Sequence, residues 1–274
     1  MPTKFVLSCA MQVAHDPSNS RCLAWETEKS QGPFSCPECK GDVILKKGRV
    51  REHHFAHRPP FTCQYGSGES EIHYRAKREL FTALSAHPRC NKCELERSLK
   101  GVRPDISLYI KTHRVAIEIQ RSSVTVEDII RKAEVYNKLG IYLLYLFPES
   151  GPEITWRENE EEYICRPNQW EKFLHSMFFG RVYYWVGGLH VRPYHFSEFD
   201  IWVEEKEWYD EDGSENFGGG YHKKSKSMKI PIEHPEVTLN IVNDFQCKNR
   251  DVYDMANFTI PSCKLWMDAS YMWW

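Results

Sequence analysis

The chain has 274 residues, 41% of them hydrophobic and 27% charged, with a formal net charge of −2. That balance excludes an intrinsically disordered chain and suits one large or two ordinary domains, with any nucleic-acid affinity confined to local basic patches. No apolar run approaches the ~20 residues of a membrane span, and the opening MPTKFVLSCAMQVAHD is too briefly apolar for a typical secretory signal, so a cytoplasmic location is expected.

By composition the chain falls into residues 1–66, 67–148 and 149–274. The first part holds five of the ten cysteines and four histidines. Without a secretory signal, such cysteines point to metal binding or free thiols before a disulfide framework. Cys36-x-x-Cys39 precedes His54-x-x-His57 and Cys63. A Cys-x-x-Cys knuckle turns two thiolates toward one ion, and tetrahedral Zn²⁺ takes two more ligands from a second segment. The 14 residues between Cys39 and His54 form a zinc-ribbon interval. His57 is expected to bind. If HHFAH is extended, alternation turns His54 and His57 to opposite faces and Cys63 completes the set; if it turns, His54 does. Basic clusters run from Lys46 to Arg58, Arg75 to Arg78 and His222 to Lys229.

The second part alternates helix and strand. Glu69–His87 has helical periodicity, with Ile72, Ala76, Leu80, Ala83 and Leu84 on one face. Glu69 and His73 fall within that face and Lys77 at its edge, whereas Glu71, Arg75 and Arg78 point away. Burying ionisable groups is costly unless they have partners or a metal, so this placement marks a candidate site. Cys93–Leu99, Arg103–Ile110 and Arg114–Ser122 read as strands, the last two joined by Lys111–His113. Thr125–Gly140 reads as a helix, with Thr125 near a capping box and Gly140 as its stop. Ile141–Phe147 reads as a buried strand. The order α, β, β, β, α, β implies a right-handed crossover into a parallel pair.

Strand alternation puts Ile106, Leu108 and Ile110 with Val115, Ile117 and Ile119 on an apolar side. Asp105, Glu118 and Gln120 gather on the other, with residues 105 and 118 almost facing each other. Hard oxygen ligands so placed suit Mg²⁺ or Mn²⁺. Gln120 can orient water or a phosphate oxygen but cannot act as a base.

The third part holds eight of the nine tryptophans. Gly180–Phe196 reads as a hairpin turning at Gly187-Gly188, and Asp210–Lys229 as a long mobile loop. The aromatics suit a core, a protein partner or self-association, with base stacking as the alternative. A mainly β region is expected, with no catalytic motif. Cys90-x-x-Cys93, upstream, is a second cysteine pair.

In order, CPEC, HFAH with Cys63, ESEIHYRAK, RPDISLYI, AIEIQRSS and IIRKAEVYNKLGIYLLYLF resemble the competence protein CoiA-like family, and more broadly the PD-(D/E)XK nuclease superfamily. The resemblance covers about Pro33 to Pro148. It implies an α/β fold: a restriction-endonuclease-like αβββαβ core, an N-terminal zinc-ribbon-like module and a β-rich C-terminal region. It implies catalytic roles for Glu69, His73, Lys77, Asp105, Glu118 and Gln120, with Glu69, Asp105 and Glu118 holding Mg²⁺ or Mn²⁺. Structural Zn²⁺ would sit among Cys36, Cys39, His54, His57 and Cys63, and DNA contacts would come from Lys77, Arg78, Arg103 and Arg131. Gln120 stands where the superfamily usually has lysine, and Lys77 is a candidate to supply the missing charge. The implied activity is phosphodiester hydrolysis in single-stranded or branched DNA during uptake, recombination or processing. The alternative is a DNA-binding recombination accessory protein that does not cut.

Overall fold

The structure, a computed structural model, describes residues 10–59, 63, 65–66, 69–121, 124–157 and 162–274. The apolar start of the chain and Ser122-Ser123 of the AIEIQRSS segment lie outside the described residues.

Six short strands form the N-terminal sheet: β1 Ala10–Met11, β2 Val13–His15, β3 Arg21–Leu23, β4 Phe34–Ser35, β5 Asp42–Lys46 and β6 His54–His57, ordered β1-β6-β5-β4-β2-β3. Its separate core is small, built around Met11, Phe34, Val43, Leu45 and Phe55. So little apolar burial is marginal for a module of this size and calls for a cross-link or a metal. No disulfide occurs among the described residues.

The next elements are α1 Glu71–Ala86, β7 Cys90–Leu95, β8 Ile106–Ile110, β9 His113–Ile119, α2 Val126–Lys138 and β10 Tyr142–Leu146, in the order expected from periodicity. Ser70 caps α1 by accepting from the His73 amide, and Thr125 caps α2 by accepting from the Asp128 amide. β8 and β9 pair antiparallel with Ile106 opposite Ile117, which sets Asp105 opposite Glu118 one step further out. β9 and β10 pair in parallel, as a helical crossover requires.

The sheet does not stop at Pro148. After β11 Ile154–Arg157, β12 Glu162–Cys165, α3 Gln169–Met177, β13 Val182–Gly187 and β14 His190–Val203, the chain continues through β15 Lys206–Tyr209, β16 Glu215–Gly218, β17 Tyr221–Glu233 and β18 Leu239–Asn240. It ends with β19 Phe245–Arg250, β20 Tyr253–Asp254, β21 Thr259–Ile260 and β22 Cys263–Asp268. β22 lies parallel against β10 and β19 flanks it, giving a central sheet ordered β19-β22-β10-β9-β8-β7. A buried ion pair ties β13 to β22: Arg181 Nη1 donates to Asp268 Oδ2 at 2.7 Å, and the Tyr183 hydroxyl to Oδ1 at 2.5 Å.

Two local expectations change. The β13–β14 hairpin turns at Gly188-Leu189, because Gly187 already pairs with His190. Asp210–Lys229 is not a long loop: it supplies β16, most of β17 and the turn before them. Gly213, at φ +83°, closes the β15–β16 hairpin, and aromatic residues on both strands favour the pleat.

Candidate active site and metal cluster

β6 is extended, so alternation decides the histidine question. Cys36, Cys39, His57 and Cys63 bring one ligand atom each within 4.8 Å of one another. Cys39 Sγ lies 3.3 Å from His57 Nε2. The amides of Glu38 and Gly41 each reach a knuckle sulfur, Cys36 and Cys39 respectively, at 3.4 Å. Three sulfurs and an imidazole at this spacing suit tetrahedral Zn²⁺, whose bonds of ~2.0–2.3 Å set ligand atoms under 4 Å apart. His54 lies outside this cluster: it faces the other side of the strand, with Nδ1 2.8 Å from the Glu52 carbonyl. Cys90 and Cys93 join no such cluster among the described residues, and burial pushes their thiols up to about 11 and about 12.

A polar cleft of about 690 Å³ opens where β8 begins and β9 ends, lined by Glu69, His73, Arg103, Asp105, Glu118 and Gln120, with Lys132 and Glu149 on its wall. Asp105 Oδ2 accepts from the Ile119 amide at 2.8 Å. Its Oδ1 lies 3.1 Å from His73 Nε2 and 3.4 Å from Lys77 Nζ. Burial alone would raise the Asp105 carboxyl, but His73, Lys77 and the Ile119 amide outweigh it and hold the group well below the usual carboxylate range. Burial would lower His73; Asp105 overcomes this and raises it.

Lys77 is fully buried, which removes it from the direct DNA contact expected of it. Its ammonium meets Glu69 Oε2 at 2.7 Å and Glu96 Oε1 at 2.6 Å, besides Asp105. Burial opposes its charge, yet these three carboxylates hold it above the ordinary lysine range. Glu118 is held separately from α2: Lys132 Nζ lies 2.7 Å from Oε2, and the Tyr136 hydroxyl donates to Oε1 at 2.5 Å. Burial dominates there and raises the Glu118 carboxyl despite Lys132.

Arg103 lines the cleft. Arg78 instead pairs with Glu52 at 3.1 Å, and Arg131 donates to the Gly101 carbonyl at 3.3 Å, away from the cleft lining. Glu69, Asp105 and Glu118 share the cleft without forming one cluster of ligand atoms among the described residues. Hard cations are commonly held by one or two carboxylates plus water and phosphate, and Asp105 with Glu118 fits that donor set.

Sequence reasoning missed Glu96, Lys132, Tyr136 and Tyr65. Lys132 and Tyr136 are one helical turn apart on α2, and the polar lysine between buried Ile129 and Ala133 was the available signal. Glu96 offered none: it follows β7 in a left-handed backbone, φ +48°. The Tyr65 hydroxyl donates to Glu96 Oε2, and the Arg103 guanidinium stacks 4.3 Å over the Tyr65 ring while pairing with Glu38 of the cysteine knuckle. The metal module and the cleft therefore touch through two polar routes.

The central unit alternates helices and strands, sets carboxylates at facing strand ends with lysines behind them, and falls within the match to a nuclease-like domain. The family model described as Competence protein CoiA, N-terminal domain, matches residues 18–66, and that described as Competence protein CoiA, nuclease-like domain, matches residues 69–177. The chain belongs to the CoiA-like family. It is similar to Competence protein CoiA of Bacillus subtilis (strain 168), 29% identical over 109 residues, a stretch covering 39% of this chain and 29% of that protein. No solved structure matches. Among the described residues no helix is long and apolar enough to cross a membrane.

Proposed function

We propose that the cleft is a divalent-metal-dependent deoxyribonuclease site acting on single-stranded or branched DNA during uptake, recombination or processing. The observation that carries this is that Asp105, one residue before β8, and Glu118 of β9 both line one polar cleft, with the β8–β9 register setting them opposite each other. Mg²⁺ or Mn²⁺ held by these two carboxylates would supply Lewis acidity toward water and the scissile phosphate. Glu69 and Glu96 fix Lys77, which with His73 holds Asp105 ionised and oriented. Lys132, whose side chain is 23% exposed, is the lysine that reaches the cleft. Glu118 outweighs burial and holds its ammonium above the ordinary lysine range, so it would bind phosphate oxygen as a cation and would not take a proton. It thus replaces the charge that Gln120 lacks, while Gln120 orients water or phosphate and Arg103 grips the strand. Zn²⁺ at the cysteine cluster is structural, and the protein works in the cytoplasm.

One observation favours the second reading, a DNA-binding accessory protein that does not cut. Each carboxylate is already balanced by a protein cation, Asp105 by His73 and Lys77, Glu118 by Lys132. Labelled DNA incubated with Mg²⁺ or Mn²⁺ separates the two readings. Cutting by the wild type, lost in zinc-loaded Asp105→Ala and Glu118→Ala, supports the nuclease; binding with no metal-dependent cutting sinks it.

A further inference from the structure

The loop between β5 and β6 belongs to neither the cysteine cluster nor the cleft. It carries Lys47, Arg49 and Arg51, which with Lys46 at the end of β5 border an open groove of about 550 Å³ together with Lys29 and His54. Lys47 pairs with Glu28 at 2.7 Å. Among the described residues, no carboxylate pairs with Lys29, Lys46, Arg49 or Arg51. These exposed, uncompensated cations contrast with the cleft, where each cation has an acid beside it. Val50, between the two arginines, is 93% exposed, an apolar tip that contributes nothing to the module's core.

The loop is also moored. The Glu52 amide donates to Glu71 Oε1 at 2.5 Å, and Arg78 Nη2 reaches Glu52 Oε1 at 3.1 Å. Both partners belong to α1, whose first turns and N-cap place Ser70 and His73 in the cleft lining. The basic loop is thus tied to the helix that builds the proposed site.

Resting on the DNA-processing reading above, we propose that the β5–β6 loop is a second DNA-holding element. Lys29, Lys46, Arg49 and Arg51 grip the backbone phosphates of a strand leaving the cleft, and Val50 contacts its sugars and base edges. Phosphate contacts of this kind release counterions, so they are read by salt dependence as well as by affinity. His54, excluded from the metal cluster, forms part of the groove floor.

The test is fluorescence anisotropy of a labelled single-stranded oligonucleotide without added divalent metal, across a salt series. The wild type is compared with the triple variant Lys46→Gln, Arg49→Gln, Arg51→Gln, with zinc content and melting temperature confirming the fold. The expected result is about tenfold or greater weakening near physiological salt, and a shallower salt slope by about 2 for three lost contacts on a single strand. Equal affinity and slope overturn the loop assignment while leaving cleavage at Asp105 and Glu118 intact. A protein that binds through the loop but never cuts overturns the nuclease reading and leaves the loop assignment standing. Preference of the loop for anionic vesicles over the oligonucleotide also overturns it.

Discussion

The two candidate metal centres keep their ligands in opposite ways. At Cys36, Cys39, His57 and Cys63 the donor atoms converge on one another, and the nearby amides of Glu38 and Gly41 only support the sulfurs. At the cleft the carboxylates are held apart, each by its own cation: Asp105 by His73 and Lys77, Glu118 by Lys132. Convergent thiolates without a metal repel, so the first arrangement makes sense as a structural cross-link for a module with a small core. Separately balanced carboxylates stay buried without an ion and keep their orientation, which suits a site whose cation arrives with substrate. The contrast fits the proposed division of roles, a metal that holds the first module together and a metal that would serve reaction at the cleft.

The largest expected effect comes from removing the metal at the first centre. Chelation, or Cys36→Ser with Cys39→Ser, should unfold residues 10–66 as a separate early step while the central sheet persists, because structural zinc supplies folding free energy directly. Hydrogen exchange resolves the two regions. His54→Ala should leave zinc content unchanged and His57→Ala should reduce it; the reverse would break the assignment.

Next is Lys77→Met, which leaves Glu69 and Glu96 facing each other in a buried site. Breaking such a pair costs about 3–5 kcal/mol, read by denaturant unfolding of the zinc-loaded protein. A loss within the range of an ordinary surface change would show that the ammonium is not where the acids need it. Tyr65→Phe tests the bridge between the centres with a smaller effect. It leaves one acceptor of Glu96 unmet, at about 1–3 kcal/mol, and should lower cleavage without lowering zinc content.

The smallest effect is pH dependence at the cleft. Asp105 raises His73 above the ordinary histidine value, so the charged imidazole adds stability that is full below about pH 6.5 and is lost as pH climbs through the elevated value. Without added divalent cation, wild-type melting should therefore fall over that rise more than melting of His73→Gln. Parallel curves would remove His73 from the network.

How much of this was legible follows from the range of each interaction. The αβββαβ order and the facing of Asp105 and Glu118 come from period and alternation, which are local and readable. His54 could be excluded only once β6 was known to be extended. The β10–β22 pairing joins strands far apart in the chain, and no local pattern reports it. Lys77 looked like a cation at the edge of a helix face; it is buried among Glu69, Glu96 and Asp105, and the lysine that lines the cleft is the half-buried Lys132 of α2. Glu96 sits in a turn with no periodicity to betray it. At the tip of the third part Trp208 and Tyr209 are exposed beside Glu207 and Asp210, an acidic setting that opposes base stacking because phosphates would be repelled there.

The most direct measurement is the Mn²⁺-dependent cleavage rate of labelled DNA by the zinc-loaded wild type and by Lys132→Met, alongside Asp105→Asn. A nuclease cleft built on Asp105, Glu118 and Lys132 predicts cutting by the wild type, a loss of at least about 100-fold in Asp105→Asn, and a lesser loss in Lys132→Met, in keeping with the worth of a transition-state charge contact. Equal rates in all three, or no cutting by a wild type that binds the same DNA, would contradict it.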